Sequence, residues 1–353
     1  MNITLIAPPW LPVPPPAYGG IELVVAVEAQ ELERCGHRVT VVATGDSQPS
    51  GTLRATLPSA PPNGTIGNVF VEARHALAAY AEMGDADIVH DHSGAIGPLL
   101  ASRDASFPPV VHTLHGPWTP EARAFYPLIH DQVHLVAIST AQRADNPMVR
   151  YAATIHNGID IDAYPMNDSP PGDHLIYIGR ANHGKNPDGA IRIARASGRP
   201  LKLVIKRHEP QEHDYWNHAV APILGSDIEV LEDIDHSTKV QLLGNAHAMV
   251  FPIQWPEPFG LVMVEAMACG TPVIARPVGA ATELIEHGCC GFLHDTEDEM
   301  VEAIGHVAEL ERETCRQRTI ARFSSARMAS AYELLFTQLL EHRGHKAIRA
   351  ATA

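Results

Sequence analysis

The sequence predicts an α/β protein built as two Rossmann-like domains. Three observations carry that expectation. Short apolar runs alternate with segments of helical period, the pattern of parallel strands joined by covering helices. The alternation breaks at a polar, Pro- and Gly-rich segment, Met166 to Asp173, and then restarts. The 353 residues also exceed what one such domain usually holds. The expected division is residues 1–166 and 167–326, with a last helix over about 327–353.

In the first half, residues 2–7 read as a strand, followed by a stiff proline-rich loop over residues 8–16. Gly19 and Gly20 open a helix over residues 21–35, and residues 38–43 close a βαβ unit. Adjacent glycines let a ligand approach the backbone, although a tight turn also accounts for them. Residues 46–68 read as loop with one short strand near 53–57, and residues 69–82 as helix. Strands follow at 87–90, 109–114 and 135–139. Polar residues gather at their carboxyl ends: His90, Asp91, His92, His115 and Ser139. Ligands of open parallel sheets bind at such ends. His90 and His92 share one face of a strand and could begin a metal site, but zinc needs one or two more ligands. His115 reads equally as a substrate-facing imidazole or as one satisfied by backbone. Asn157-Gly158 is a structural corner.

The second half opens with a strand over 174–178 that runs into Gly179-Arg180-Ala181-Asn182-His183-Gly184-Lys185. Arg180 and Lys185 bracket a short loop at a strand end. A planar fork and a point charge in that position suit a diphosphate. Helices are expected at 187–197 and 238–245, and strands at 201–205, 228–231 and 246–250. Then comes QWPEPFGLVMVEAMACGTPVIA, residues 254–275. Pro256 and Pro258 keep its start out of a helix, which begins near Phe259 and Gly260 and runs through Leu261 and Val262 until Gly270 stops it. No Ser, Thr, Asp or Asn caps that helix, so its free N–H groups need another acceptor, and phosphate is a natural one. Glu257 and Glu265 lie close to two helical turns apart and can face one ligand, with carboxylates suited to sugar hydroxyls. A strand at 291–293, one helix over 297–318 and an amphipathic helix from 324 to 342 finish the chain. Met328, Tyr332, Leu334, Leu335 and Leu339 form the apolar face of the last helix.

The segment EPFGLVMVEAMACGTPVIA resembles the E-x7-E signature of retaining glycosyltransferases of family 4, which have the GT-B fold. The resemblance implies two Rossmann-like domains facing a central cleft and a C-terminal helix crossing back to the first domain. It implies that Gly19 and Gly20 lie beside the donor diphosphate. Thr113-Leu114-His115 matches a T-x-H segment near the transferred sugar and acceptor, and Arg180 with Lys185 matches a G-R-x4-K pattern that holds the pyrophosphate. Glu265 would hold the ribose, Glu257 the donor sugar, and the backbone of Phe259, Gly260, Leu261 and Val262 the phosphates. Residues 153–160 and the turn over 277–283 also fit, the latter with Ala280 for a glycine. Two departures stand out. Asn186 replaces a glycine, and Lys206-Arg207-His208 replaces a Gly-x-Gly element near the nucleobase. The implied reaction is metal-independent, needs no cofactor, and moves a hexose from a nucleotide-diphosphate sugar to an acceptor hydroxyl. UDP-sugars are favoured, with GDP-mannose next.

Composition narrows the partners. Net charge is −15, and the first 170 residues contain no lysine and eight arginines. That argues against nucleic acid and against docking on anionic lipid, and so favours a soluble acceptor over a lipid. Five cysteines without metal spacing point to reduced thiols and a cytoplasmic location. Asp pairs at 85/87, 160/162 and 233/235 are expected by chance in so acidic a chain. Two rivals remain at this level: a non-catalytic nucleotide-sugar-binding protein, and a zinc hydrolase at His90, His92 and His115. A dehydrogenase would need a G-x-G-x-x-G after a strand, which the sequence lacks.

Overall fold

The computed structural model describes residues 1–17, 19–62, 65–81, 83–167 and 169–351, with side chains to residue 343. Tyr18, Glu82 at the end of one expected helix, and Asp168 inside the Pro- and Gly-rich segment lie outside the described residues. The chain divides into two compact units. One comprises Met1–Pro15, Gly19–Gly158 and the chain from Ser325, and the other is mainly Ile159–Ser324.

The first unit is a seven-stranded parallel sheet. Its strands are β1 (Asn2–Ile6), β2 (Arg38–Thr44), β3 (Thr52–Leu57), β4 (Ile88–Asp91), β5 (Val110–Leu114), β6 (His134–Ala137) and β7 (Tyr151–Thr154), in the order β3-β2-β1-β4-β5-β6-β7. Helices α1 (Gly20–Arg34), α2 (Val69–Ala81), α3 (Ile96–Ala101), α4 (Pro120–Phe125) and α5 (Thr140–Asp145) connect them. The strand order reverses between β1 and β4, which makes that pair the switch point where ligands bind. The central strands are buried on both faces, hence their unbroken apolar runs.

The second unit repeats the plan with β8 (Leu175–Arg180), β9 (Leu201–Lys206), β10 (Ile228–Glu232), β11 (Ala248–Phe251), β12 (Val273–Ala275) and β13 (Gly291–Leu293). All pair in parallel, in the order β10-β9-β8-β11-β12-β13, and the switch point falls between β8 and β11. Its helices are α6 (Pro187–Ala196), α7 (Pro210–Tyr215), α8 (His236–Asn245), α9 (Leu261–Ala268), α10 (Ala281–Leu284), α11 (Glu297–His306) and α12 (Arg312–Phe323). The helix expected over 297–318 is thus two. The break lets the Arg312 guanidinium turn inward and donate to the carbonyls of Ala246 (3.0 Å) and Gly244 (2.9 Å) and to Thr271 Oγ1 (2.6 Å).

The units meet in sequence at Gly158/Ile159 and Ser324/Ser325, where residues 166/167 and 326/327 were expected. The Ile159 N–H donates to the Phe323 carbonyl at 2.9 Å, so the outgoing and returning segments pair side by side. The Pro- and Gly-rich segment is a loop of the second unit, held by Gly172 N–H donating to Asn245 O at 2.7 Å.

The last helix, α13 (Ser325–Ala351), belongs to the first unit and packs on α1. Ser325 Oγ donates to Glu31 Oε1 at 2.9 Å, and His37 Nε2 meets Glu333 Oε1 at 3.0 Å. Its buried face is Met328, Ala329, Tyr332, Leu335 and Phe336, a run at helical spacing. Leu334, expected on that face, is exposed because it lies about 200° round the helix from Tyr332, on the opposite side. Phe336→Ala should therefore lower stability by about 3 to 5 kcal/mol in urea unfolding. Thr296→Ala, which removes the capping box of α11 with Glu299, should cost about 1 kcal/mol in the same measurement.

Candidate functional site

In the second unit, β8 ends at Arg180 and the chain turns through residues 181–186 before α6. That loop is fixed at both ends. Ala181 N–H donates to Lys206 O at 3.0 Å, and Lys185 N–H donates to Asn182 Oδ1 at 2.9 Å. Tyr177 OH donates to the Lys185 carbonyl at 3.1 Å. Asn186 is left-handed (φ 55°), the conformation in which glycine is commonest, which explains the departure seen in the sequence. Its side chain caps α6 at Gly189 N–H (3.1 Å) and donates to Pro252 O (3.0 Å), so the replacement does more than a glycine could.

Lys185 is only 8% exposed, and its ammonium lies 5.3 Å and 5.4 Å from the ring centres of Phe251 and Trp255. It is paired with Glu257. Glu257 in turn is braced from behind. Ala280 N–H donates to the Glu257 carbonyl at 2.9 Å, and a Cβ on Gly279 would lie 2.4 Å from Glu257 backbone atoms. Gly279 also has φ +57°, so this turn requires a glycine twice over. Gly260, at φ +93°, is the N-cap of α9, and no side chain caps that helix. The stem of Glu257 lies beside Gly260. Lys185, Glu257 and the uncapped amides of Leu261 and Val262 thus form one cluster, next to the β8/β11 switch point.

The other expected residues are placed differently. Arg180 is paired with Glu212 of α7, whose second oxygen accepts from His208 N–H at 2.8 Å. Phe259 is 2% exposed and packs its ring 6.0 Å from Phe323, so its side chain is core and only its backbone can meet a ligand. Glu265 is buried in α9, where Oε1 accepts from Tyr164 OH and Lys239 Nζ, both at 2.7 Å. Burial and that carboxylate push the Tyr164 phenol well up. Neither Tyr164 nor Lys239 stood out in the sequence, although Lys239 is one of only five lysines in the chain and so had a signal. Lys206-Arg207-His208 end β9, where Arg207 forks onto Glu232 (2.6 and 3.0 Å) and His208 meets Asp233 (2.8 Å).

In the first unit, His115 follows β5 and lines a cavity of about 250 Å³ with His92, His112, Trp10, Trp118 and Tyr126. The cavity reaches Ile21 in the first turn of α1. Gly20 starts that helix. Gly19 is its N-cap, and a side chain there would collide with Leu11 and Pro15 at 2.7 Å. Behind His115 lies a buried chain of polar groups. His115 Nε2 meets His92 Nδ1 at 2.9 Å, and His92 Nε2 and His90 Nδ1 both approach Glu28, at 3.1 and 2.7 Å. His90 Nε2 meets Thr113 Oγ1 at 2.7 Å, and Thr113 meets Tyr332 OH at 2.8 Å. Burial pushes the His115 ring well down, aided by the rings of His92, His112 and His90. Burial would raise the Glu28 carboxyl, but His90 and His92 outweigh it and hold it at about 2. Burial lowers His90 to about 4 against the pull of Glu28.

Glu28, His90 and His92 are close enough to surround an ion, as are Glu286, Cys289 and Cys290. In the first group His90 Nδ1 and His92 Nε2 lie 2.7 and 3.1 Å from the Glu28 carboxylate. The aspartate pairs serve local structure. Asp160 and Asp235 cap short helices, and Asp87 accepts from Asn2 N–H at 2.7 Å. Among the described residues, no helix is long and apolar enough to cross a membrane.

Comparison with known proteins gives this geometry its context. Residues 18–163 match the family model for glycosyltransferase family 4, and residues 169–322 match that for glycosyl transferases group 1. A phosphatidyl-myo-inositol mannosyltransferase of Mycolicibacterium smegmatis is 25% identical over 353 residues, covering 92% of this chain and 88% of that one. A D-inositol 3-phosphate glycosyltransferase of Mycobacterium bovis is 28% identical over 273 residues, 66% of this chain and 56% of that one. Among solved structures, a sucrose-phosphate synthase of Thermosynechococcus elongatus superimposes with a TM-score of 0.80 at 19% identity, over 97% of this chain and 100% of that one. Anabaena HepE, solved with UDP and glucose, gives 0.74 at 22% identity over 96% and 99%. This chain belongs to the family 4 glycosyltransferases and is a glycosyltransferase of the two-domain GT-B fold.

Proposed function

We propose that the enzyme transfers a hexose, with retention of configuration and without a metal, from a nucleotide-diphosphate sugar to an acceptor hydroxyl. The observation that carries this reading is the Lys185–Glu257 pair beside the uncapped start of α9. A diphosphate would take Lys185 from Glu257 and fill the open amides, and Glu257 would turn to the hydroxyls of the donor sugar. Arg180 would pass from Glu212 to the same phosphates. Each such donor aimed at the growing charge of the leaving group typically contributes about 3 kcal/mol. Glu265, held through Oε1, would offer Oε2 to the ribose. No protein nucleophile is needed if the leaving phosphate itself takes the acceptor proton on the same face.

His115 would orient a hydroxyl of the sugar or of the acceptor in the first-unit cavity. The family resemblance puts UDP-sugars first and GDP-mannose next, and the relatives named as mannosyltransferases favour mannose as the sugar. The lysine-free first 170 residues favour a soluble polyol acceptor, and the relative named for D-inositol 3-phosphate supports one. The five free cysteines fit a cytoplasmic enzyme. A second reading, a lipid-linked acceptor, rests on the exposed Ile66, Val69, Phe70 and Leu77 in and before α2, and on the relatives named for phosphatidyl-myo-inositol. Co-sedimentation with phosphatidylinositol vesicles that Phe70→Ser abolishes would favour it.

Protection against thermal unfolding by UDP-, GDP- or ADP-sugars should identify the donor. With that donor, Lys185→Ala should cut turnover at least ten-fold, equivalent to about 1.4 kcal/mol. Wild-type rates in this variant would sink the diphosphate assignment. Turnover should also persist in EDTA. Its complete loss, restored by manganese, would point to metal-dependent transfer.

A further inference from the structure

The proposed reaction uses His115 but does not explain what lies behind it. Glu28, His90 and His92 are 0%, 0% and 1% exposed. A carboxylate removed from water is costly unless its oxygens are fully engaged. Here His90 Nδ1 hydrogen-bonds Oε1 at 2.7 Å, and His92 Nε2 is the nearest charge-bearing nitrogen to Oε2, at 3.1 Å, an oxygen with no other partner among the described residues.

Glu28 is ionised, so it only accepts. His90 Nδ1, 2.7 Å from Oε1, therefore donates. The neutral His90 ring has no proton left for Nε2, which accepts from the Thr113 hydroxyl at 2.7 Å. Thr113 then accepts from Tyr332 OH at 2.8 Å. His92 Nε2 lies 3.1 Å from Oε2 and 3.2 Å from His90 Nδ1. The latter is already a donor, so the His92 Nε2 proton goes to the carboxylate. With its proton on Nε2, His92 offers a lone pair at Nδ1, to which His115 Nε2 donates at 2.9 Å. His115 Nδ1 is left as an acceptor, with no hydrogen bond to it among the described residues, on a ring that lines the cavity.

We propose that Glu28, acting through His92, is a positioning residue that holds His115 with its proton on Nε2, so that Nδ1 accepts from a substrate hydroxyl in the cavity. The substrate contact rests on the glycosyl-transfer reading given above, whereas the tautomer does not. The arrangement acts as a triad turned inward: a buried acid orients one ring, and that ring orients the next. The last helix takes part, because Tyr332 completes the chain from the far side.

The test is a two-bond proton–nitrogen correlation spectrum of the ligand-free, 15N-histidine-labelled enzyme at pH 8, with His115 assigned from the signal lost in His115→Asn. The expected result is a single His115 tautomer protonated at Nε2. In Glu28→Gln, whose amide both donates and accepts, that single tautomer should be lost. Glu28→Gln should also reduce kcat at least ten-fold with little change in donor KM, and Glu28→Asp should recover part of it. A wild-type His115 protonated at Nδ1 would overturn the proposal, as would an unchanged tautomer in a folded Glu28→Gln. Stoichiometric zinc in the purified enzyme would overturn it too, because lone pairs would then face the cluster in place of protons. If Glu28→Gln does not fold, the wild-type spectrum alone decides the tautomer. Full turnover by His115→Asn with the expected wild-type spectrum would remove the substrate contact and leave the Glu28–His92–His115 chain standing.

Discussion

The second unit is organised around one requirement: a nearly buried ammonium needs a counter-charge. Lys185 is walled by Phe251 and Trp255, and water reaches little of it. Glu257 supplies the missing charge. Everything near that contact serves to keep it in place. Asn182 and Tyr177 hold the lysine backbone, while Gly279 and Ala280 hold the glutamate backbone. Both backbones are therefore held in place before any ligand is present.

The same device recurs across the molecule. Arg180 rests on Glu212, Lys239 on Glu265, and the rings of His90 and His92 on Glu28. Each pair sets a charged group against a carboxylate that is largely out of water. The two sheets explain where the pairs lie. In each, the strand order reverses once, and the chains leaving the two central strands diverge and open a crevice. The loops after β4, β5 and β8 deliver His92, His115 and Lys185 to those places.

Much of this was legible in the sequence, for identifiable reasons. Parallel strands buried on both faces leave unbroken apolar runs, so both sheets could be read, except for the edge strand β7, of which only Tyr151 is buried. Helices of four to six residues such as α3, α4 and α10 show too few turns for a period to appear. The Glu257/Glu265 spacing and the Arg180/Lys185 loop were visible because each falls within a short motif, although the partners of Arg180, Lys185 and Glu265 lie 32, 72 and 101 positions away. Glu28 was not, since its partner His90 is 62 positions away and it stands in a helix where a glutamate looks like ordinary surface. Tyr164 and Tyr332 were hidden in the same way. Each reads as core, and only the fold shows which acceptor its hydroxyl reaches.

The placement of α13 bears on how the polypeptide matures as it leaves the ribosome. Most of the amino-terminal sheet is synthesised early, yet the surface of α1 and the hydroxyl of Thr113 wait for a helix that starts at Ser325. The second unit, by contrast, is continuous apart from a few residues and can close as soon as it emerges. The half translated first is thus the half completed last, with an unclosed apolar seam along α1 for chaperones to guard in the interval.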